Sequence, residues 1–125
     1  MPTKRILIID DNQDSAEMVA MLLSLSGHDV KVAVDGEEAI EVARAYHPEV
    51  VLLDLGLPGI DGYEVARRLQ SEGLSGEMLV AVSGYGQPED RLRTKAAGFD
   101  AHLIKPIDPT EVRKVVEQRR GVAAS

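Results

Sequence analysis

Five short runs of apolar and β-branched residues punctuate the chain, at Arg5–Ile9, Asp29–Val34, Val50–Leu53, Met78–Val82 and Ala101–Ile104. Between them, apolar residues return with helical spacing: Ala39, Ile40 and Ala43; Val65, Ala66 and Leu69; Val112, Val115 and Val116. A run without a polar break, such as Val50-Val51-Leu52-Leu53, suits a strand covered on both faces. Strict alternation of strand and helix with short connections predicts five strands and five helices, built as one parallel sheet with helices on both sides.

The punctuation agrees. Four helices are expected to open with Asp-x-x-Glu, at Asp14/Glu17, Asp35/Glu38, Asp61/Glu64 and Asp108/Glu111. An aspartate at the cap accepts an orphan amide of the first turn, and the glutamate three residues on can reach back. Pro109 follows Asp108 at a first helical position, where a missing N–H is harmless. Gly27, Gly73, Gly98 and Gly121 are placed to end helices, and Pro48 stops another. The helix around Glu89–Ala97 has the weakest signal, with only Leu92, Ala96 and Ala97 as apolar anchors. Such thin anchoring suits a moving part.

At 125 residues the chain fits one domain, read here as 1–121 with a frayed tail at 122–125. Aromatic residues are only 3%, so aliphatic side chains must fill the interior. The absence of cysteine excludes disulfides, thiolate metal sites and a cysteine nucleophile. No apolar run approaches the roughly 20 residues needed to span a bilayer. The apolar stretch near the N-terminus is too short for a signal peptide and ends in two aspartates, so the chain reads as cytoplasmic. A net charge of -7 opposes direct binding to nucleic acid.

In an open α/β sheet, ligands bind outside the carboxyl ends of the strands. Here the first strand ends in Asp10-Asp11, the third in Asp54, the fourth in Ser83 and the fifth in Lys105-Pro106. Asp35, after the second, reads as a helix cap. Three carboxylates held close repel one another unless a cation intervenes. Oxygen-only ligands suit a hard ion such as Mg²⁺, which would ease the approach of an anionic phosphodonor. Lys105 and Ser83 are placed to contact phosphoryl oxygens, and Gly84 to leave room for the group. Each residue alone has an ordinary explanation as a turn, cap or surface group. Their joint placement on one rim does not.

These residues carry a resemblance. Ile9-Asp10-Asp11-Asn12, Leu53-Asp54-Leu55-Gly56-Leu57-Pro58-Gly59-Ile60-Asp61-Gly62, Val82-Ser83-Gly84 and Ile104-Lys105-Pro106 together resemble the receiver domain of bacterial two-component response regulators, over nearly the whole chain. The resemblance implies a flavodoxin-like, doubly wound (βα)5 domain with strand order 2-1-3-4-5. It implies that Asp54 accepts a phosphoryl group from a histidine kinase or histidine phosphotransfer domain. Asp10, Asp11, Asp54 and the Gly56 carbonyl would hold Mg²⁺. Ser83 would be the switch hydroxyl and Lys105 the phosphoryl contact, with a cis bond to Pro106. The domain would assist its own phosphorylation and dephosphorylation without being an enzyme otherwise. Its signal would pass through the fourth helix, fifth strand and fifth helix to a downstream protein or an attached output domain, with homodimerisation left open. The stretches Ser83–Asp90 and Gly98–His102 are similar to receivers attached to hybrid sensor histidine kinases.

Two rival activities fit less well. An aspartate-based phosphohydrolase usually carries a second acid two residues after its nucleophile, where this chain has Gly56. A flavin phosphate would be repelled by Asp10-Asp11-Asn12-Gln13-Asp14 after the first strand.

One departure from the family pattern matters most. The switch position three before the lysine is usually Tyr or Phe, and here it is His102. The resemblance implies that the positions two after Asp54 and two after Ser83, here Gly56 and Tyr85, tune how long the phosphoryl group lasts, with Tyr85 expected to roof the site in part. An imidazole packs less area than a phenol ring and ionises near neutral pH. Activation should therefore depend on pH in a way that His102→Tyr removes, and identical pH profiles for the two proteins would refute this.

Overall fold

The computed structural model describes residues 3–57, 59, 61–84 and 88–118; Tyr85, Gly121 and the tail 122–125 lie outside the described residues. In chain order the elements are β1 (Arg5–Ile9), α1 (Gln13–Leu25), β2 (Asp29–Ala33), α2 (Gly36–Tyr46) and β3 (Val50–Asp54). They continue with α3 (Gly62–Ser71), β4 (Met78–Ser83), α4 (Pro88–Ala96), β5 (Ala101–Ile104) and α5 (Pro109–Glu117). The five strands pair in parallel in the order β2-β1-β3-β4-β5. This is the expected flavodoxin-like winding.

Apolar continuity explains the layering. Every residue of β3 and β4 is buried. Alternate side chains along each strand feed two cores. On one face Leu7, Ile9, Val51, Leu53, Leu79 and Ala81 pack with Ala39, Ile40 and Ala43 of α2 and Val65, Ala66 and Leu69 of α3. On the other, Ile6, Ile8, Leu52, Val80 and Leu103 pack with Ala16 and Leu23 of α1 and Val112 and Val116 of α5. The three helical stripes read from the sequence are thus the faces that pack, with Val115 partly buried.

Three of the four expected caps are present. Asp35 accepts from Glu38 N–H, Asp61 from Glu64 N–H, and Asp108 from the Thr110 and Glu111 N–H groups. The fourth expectation is corrected. Asp14 lies inside the first turn of α1, and Asn12 caps that helix by accepting from Ser15 N–H at 3.0 Å. Asparagine caps as well as aspartate does, and here it stands two residues earlier. A second correction concerns α4. Leu92, expected to anchor it, is 74% exposed, while Thr94 is buried at 3%. Ala96 is exposed as well, so of the three expected anchors only Ala97 packs on the core.

Two local features fix the ends of the domain. Gly62 starts α3 so close to the end of β3 that a Cβ there would lie 2.7 Å from Leu55 Cα and 2.9 Å from the Asp54 carbonyl oxygen. At the opposite end of the sheet, Lys4 Nζ donates to the Gln118 carbonyl at 2.8 Å. Beside it, the buried His28 ring accepts from Lys4 N–H and meets Glu117 at 3.2 Å. These contacts tie the last turn of α5 to the sheet.

The contrast in burial yields a pair of expected outcomes. Leu79→Ala should lower unfolding free energy by about 2–5 kcal/mol, whereas Leu92→Ala should change it by no more than about 0.5 kcal/mol. Urea unfolding of the two variants measures both, and equal losses would contradict the packing described.

Candidate functional site

The order β2-β1-β3 reverses the direction of winding between β1 and β3, and a crevice opens where their carboxyl ends part. Asp10 follows β1 directly and Asp54 closes β3, so the sheet itself delivers two acids to that crevice. They are 6% and 7% exposed, unusually low for carboxylates. Asp11 is exposed beside them. One carboxylate oxygen from each of Asp10, Asp11 and Asp54 lies within 4.8 Å of the others.

Each buried acid is held by backbone and by one shared cation. The Asn12 N–H donates to Asp10 Oδ1 at 2.9 Å, and the Gly56 N–H donates to Asp54 Oδ1 at 2.8 Å. Lys105 Nζ reaches across from the end of β5, 3.0 Å from Asp54 Oδ2 and 3.1 Å from Asp10 Oδ2. The Lys105–Pro106 bond is cis, as the sequence resemblance implies.

The electrostatics are uneven. Burial pushes the Asp10 carboxyl above its ordinary value, and the Asn12 amide and Lys105 ammonium only partly oppose this; the Asp54 charge adds to it. Burial on its own would lower the Lys105 ammonium, but the hydrogen bonds and charges of Asp54 and Asp10 outweigh that and raise it. Both partners move upward because one ammonium serves two carboxylates: the lysine gains from both, and Asp10 does not recover its lost hydration. The donor set therefore fits a small hard cation, with three oxygens gathered and no nitrogen or sulfur among them.

Ser83 ends β4 on the same rim and is 9% exposed. Its Oγ lies 2.7 Å from Nε2 of His102, on the neighbouring strand β5. His102 Nδ1 in turn lies 3.4 Å from Thr94 Oγ1 of α4. Gly84 was expected to leave room, yet a Cβ there would meet nothing within 4 Å, so in this state the space does not require glycine. At Gly56 a Cβ would stand 3.5 Å from Asp54 Oδ1. A side chain at that position would border the acid, and glycine leaves that flank open.

Asp10, Asp11, Asp54, Gly56, Ser83 and Lys105 thus share one rim, and His102 adjoins it through Ser83. Tyr85 is outside the described residues. Two residues escaped the sequence reading. Asn12 braces Asp10 through its amide, and its capping preference was the available signal. Thr94 touches His102, but a lone threonine in a charged helix carries no signal of its own.

Comparison with known proteins agrees with this geometry. The family model for the response regulator receiver domain matches residues 6–117. The chain is 35% identical over 109 residues to the DNA-binding dual master transcriptional regulator RpaA of Synechocystis, covering 86% of this chain and 45% of that protein. It is 33% identical over 124 residues to the alkaline phosphatase synthesis transcriptional regulatory protein PhoP of Bacillus subtilis, covering 97% of this chain and 51% of that one. The chain therefore spans about half the length of these relatives. Among solved structures, the Vibrio cholerae chemotaxis protein CheY4 aligns with a TM-score of 0.86 at 25% identity, covering 92% of this chain and 97% of that one. A response regulator of Chloroflexus aurantiacus aligns with a TM-score of 0.82 at 29% identity, covering 92% and 95%. Fold, rim and relatives converge, and over residues 6–117 this chain belongs to the response regulator receiver domain family.

Proposed function

We propose that Asp54 is the phosphoacceptor of this receiver domain, and that a histidine kinase or histidine phosphotransfer domain is the donor. One observation carries the reading: at the crevice between β1 and β3, a single ammonium at about 3 Å holds both Asp54 and Asp10, with Asp11 beside them. Structural ion pairs do not usually gather a surplus of buried acid at a ligand-binding crevice.

In the transfer, an Asp54 oxygen attacks phosphorus, the P–N bond of the phosphohistidine breaks, and the imidazole leaves with the electron pair. Lys105, already in contact with Asp54, offsets charge on the new acyl phosphate. The Gly56 N–H holds the carboxylate in place while it attacks. Asp10, Asp11, Asp54 and the Gly56 carbonyl form the proposed Mg²⁺ site. When bound, the ion supplies charge neutralisation for the phosphodonor and the transferred group. Open space beside Gly56 gives water access to the acyl phosphate, which favours a short-lived signal.

The domain so described promotes its own phosphorylation and dephosphorylation and turns over no other substrate. The new charge draws Ser83 toward the phosphoryl group and biases the α4-β5-α5 surface between two arrangements. A downstream protein, an attached output domain or a second copy of the chain would read that surface. RpaA is named as DNA-binding, yet the -7 charge of this chain opposes a nucleic-acid contact of its own. No helix of the described residues is long and apolar enough to cross a membrane, in keeping with a cytoplasmic setting.

Incubation with acetyl phosphate should give one phosphoryl adduct by intact mass, needing Mg²⁺ and absent from Asp54→Asn. An adduct that persists in that variant would move the acceptor elsewhere. No adduct at early times would leave a degenerate receiver that signals by binding alone.

Asp10 provides an independent check. Its folded-state value lies above 3.8, so its proton binds more tightly to the folded protein than to the unfolded chain. Its favourable contribution is present below 3.8 and is lost as pH rises through the higher folded value, leaving a penalty at neutral pH. Without divalent ions at neutral pH, Asp10→Asn should therefore melt at a higher temperature than the wild type. Millimolar Mg²⁺ should reverse the order, because only the wild type keeps the full ligand set. A variant less stable under both conditions would refute the assignment.

A further inference from the structure

The turn that carries Asp10 and Asp11 into α1 is closed twice, and both closures meet at Asn12. Toward the rim, its backbone N–H donates to Asp10 Oδ1 at 2.9 Å. Toward the helix, its side-chain Oδ1 accepts from Ser15 N–H at 3.0 Å, with the Asn12 backbone extended at φ -85° and ψ 100°. A capping box would spend the N–H of the cap residue on an acid at the third helical position. In α1 that position is Ser15, and the N–H goes to Asp10 instead.

A carboxylate that accepts from the amide two residues on closes a turn with the intervening residue at its corner. Here the corner residue is Asp11. Asp11 is exposed, so its place beside Asp10 and Asp54 is set by this turn rather than by packing. Asp10 Oδ1 faces the Asn12 amide while Oδ2 faces Lys105 at 3.1 Å, so the same amide fixes the rotation of the buried carboxylate. Without the side-chain cap, the Ser15 amide loses its partner and the first turn of α1 frays. Asn12 is then free to leave its extended conformation, and its amide is no longer aimed at Asp10.

We propose that Asn12 is a positioning residue for the divalent-ion site: its carboxamide, by capping α1, aims its own amide at Asp10 and holds Asp11 at the corner of the turn. Two of the three gathered acids thus owe their relative placement to a neutral side chain that is bonded to the helix. The three acids supply the charge, and the cap supplies the geometry in which a small cation can use it. Asn12 is itself exposed, so replacing it disturbs no core.

This inference rests on the reading of Asp10, Asp11 and Asp54 as part of a Mg²⁺ site, and the test separates the two. Titration with Mg²⁺, followed by amide NMR well below the melting temperature, compares wild type with Asn12→Ala and Asn12→Ser. Both substitutions preserve the net charge, but only serine can cap the helix. Asn12→Ala should bind Mg²⁺ about 10-fold more weakly, as when a ligand loses its hydrogen-bonded support. Asn12→Ser should stay within about 2-fold of wild type, because the cap survives. A purely structural cap would change the melting temperature of the metal-free protein and leave the Mg²⁺ affinity of the folded protein as it was. An alanine variant that binds as tightly as wild type, or alanine and serine variants weakened alike, would overturn the role of Asn12 and leave the ion site standing. A wild type that binds no Mg²⁺ would overturn both readings.

Discussion

Two buried carboxylates with one ammonium between them set the terms for the rest of this molecule. Asp10 and Asp54 sit where the sheet places them, at the carboxyl ends of adjacent parallel strands, and a slip of either strand would exchange the side chains of the two cores. The hydrophobic sheet therefore holds together charges that would otherwise separate. Lys105 is brought in from the far end of the β3-β4-β5 side to make the pair tolerable. One ammonium beside three gathered acids leaves the rim with more negative charge than it neutralises.

The fold was legible because its signals are local and repeated. Runs such as Val50–Leu53 have one structural use, and Asp35, Asp61 and Asp108 each cap the helix expected of them. Rim residues were legible because strand ends converge by topology alone. What could not be read depended on competition between near-equals or on contacts distant in sequence. Asn12 and Asp14 are equally competent caps, and it is Asn12 whose backbone stands extended ahead of the first helical turn. Leu92 looked like an anchor because helical spacing cannot tell which face of a mostly polar helix meets the sheet. Thr94 faces inward instead, and no pattern in its own helix announces a partner on β5.

Two helices, α5 and α4, differ in how they are held. Beneath the sheet, Lys4, His28 and Glu117 fasten α5 with groups that are buried or partly buried. By contrast, α4 meets the first half of β5 along an open cavity of about 330 Å³ lined by Arg91, Thr94, Lys95, Asp100, Ala101 and His102. Local stability is expected to follow this gradient, with the helix beside the cavity opening more readily than the helix clamped at its end.

Thr94 is the only buried side chain among the described ones of α4, and it is polar. Helices seated on oil owe their attachment to expelled water, and they inherit its heat capacity: the grip slackens in the cold and changes character with warming. α4 is seated through the Thr94 hydroxyl near the His102 imidazole and through Arg93 stacked 3.8 Å over the Tyr63 ring, contacts that bury little apolar surface. Such a seat answers to hydrogen bonding and charge more than to buried apolar area.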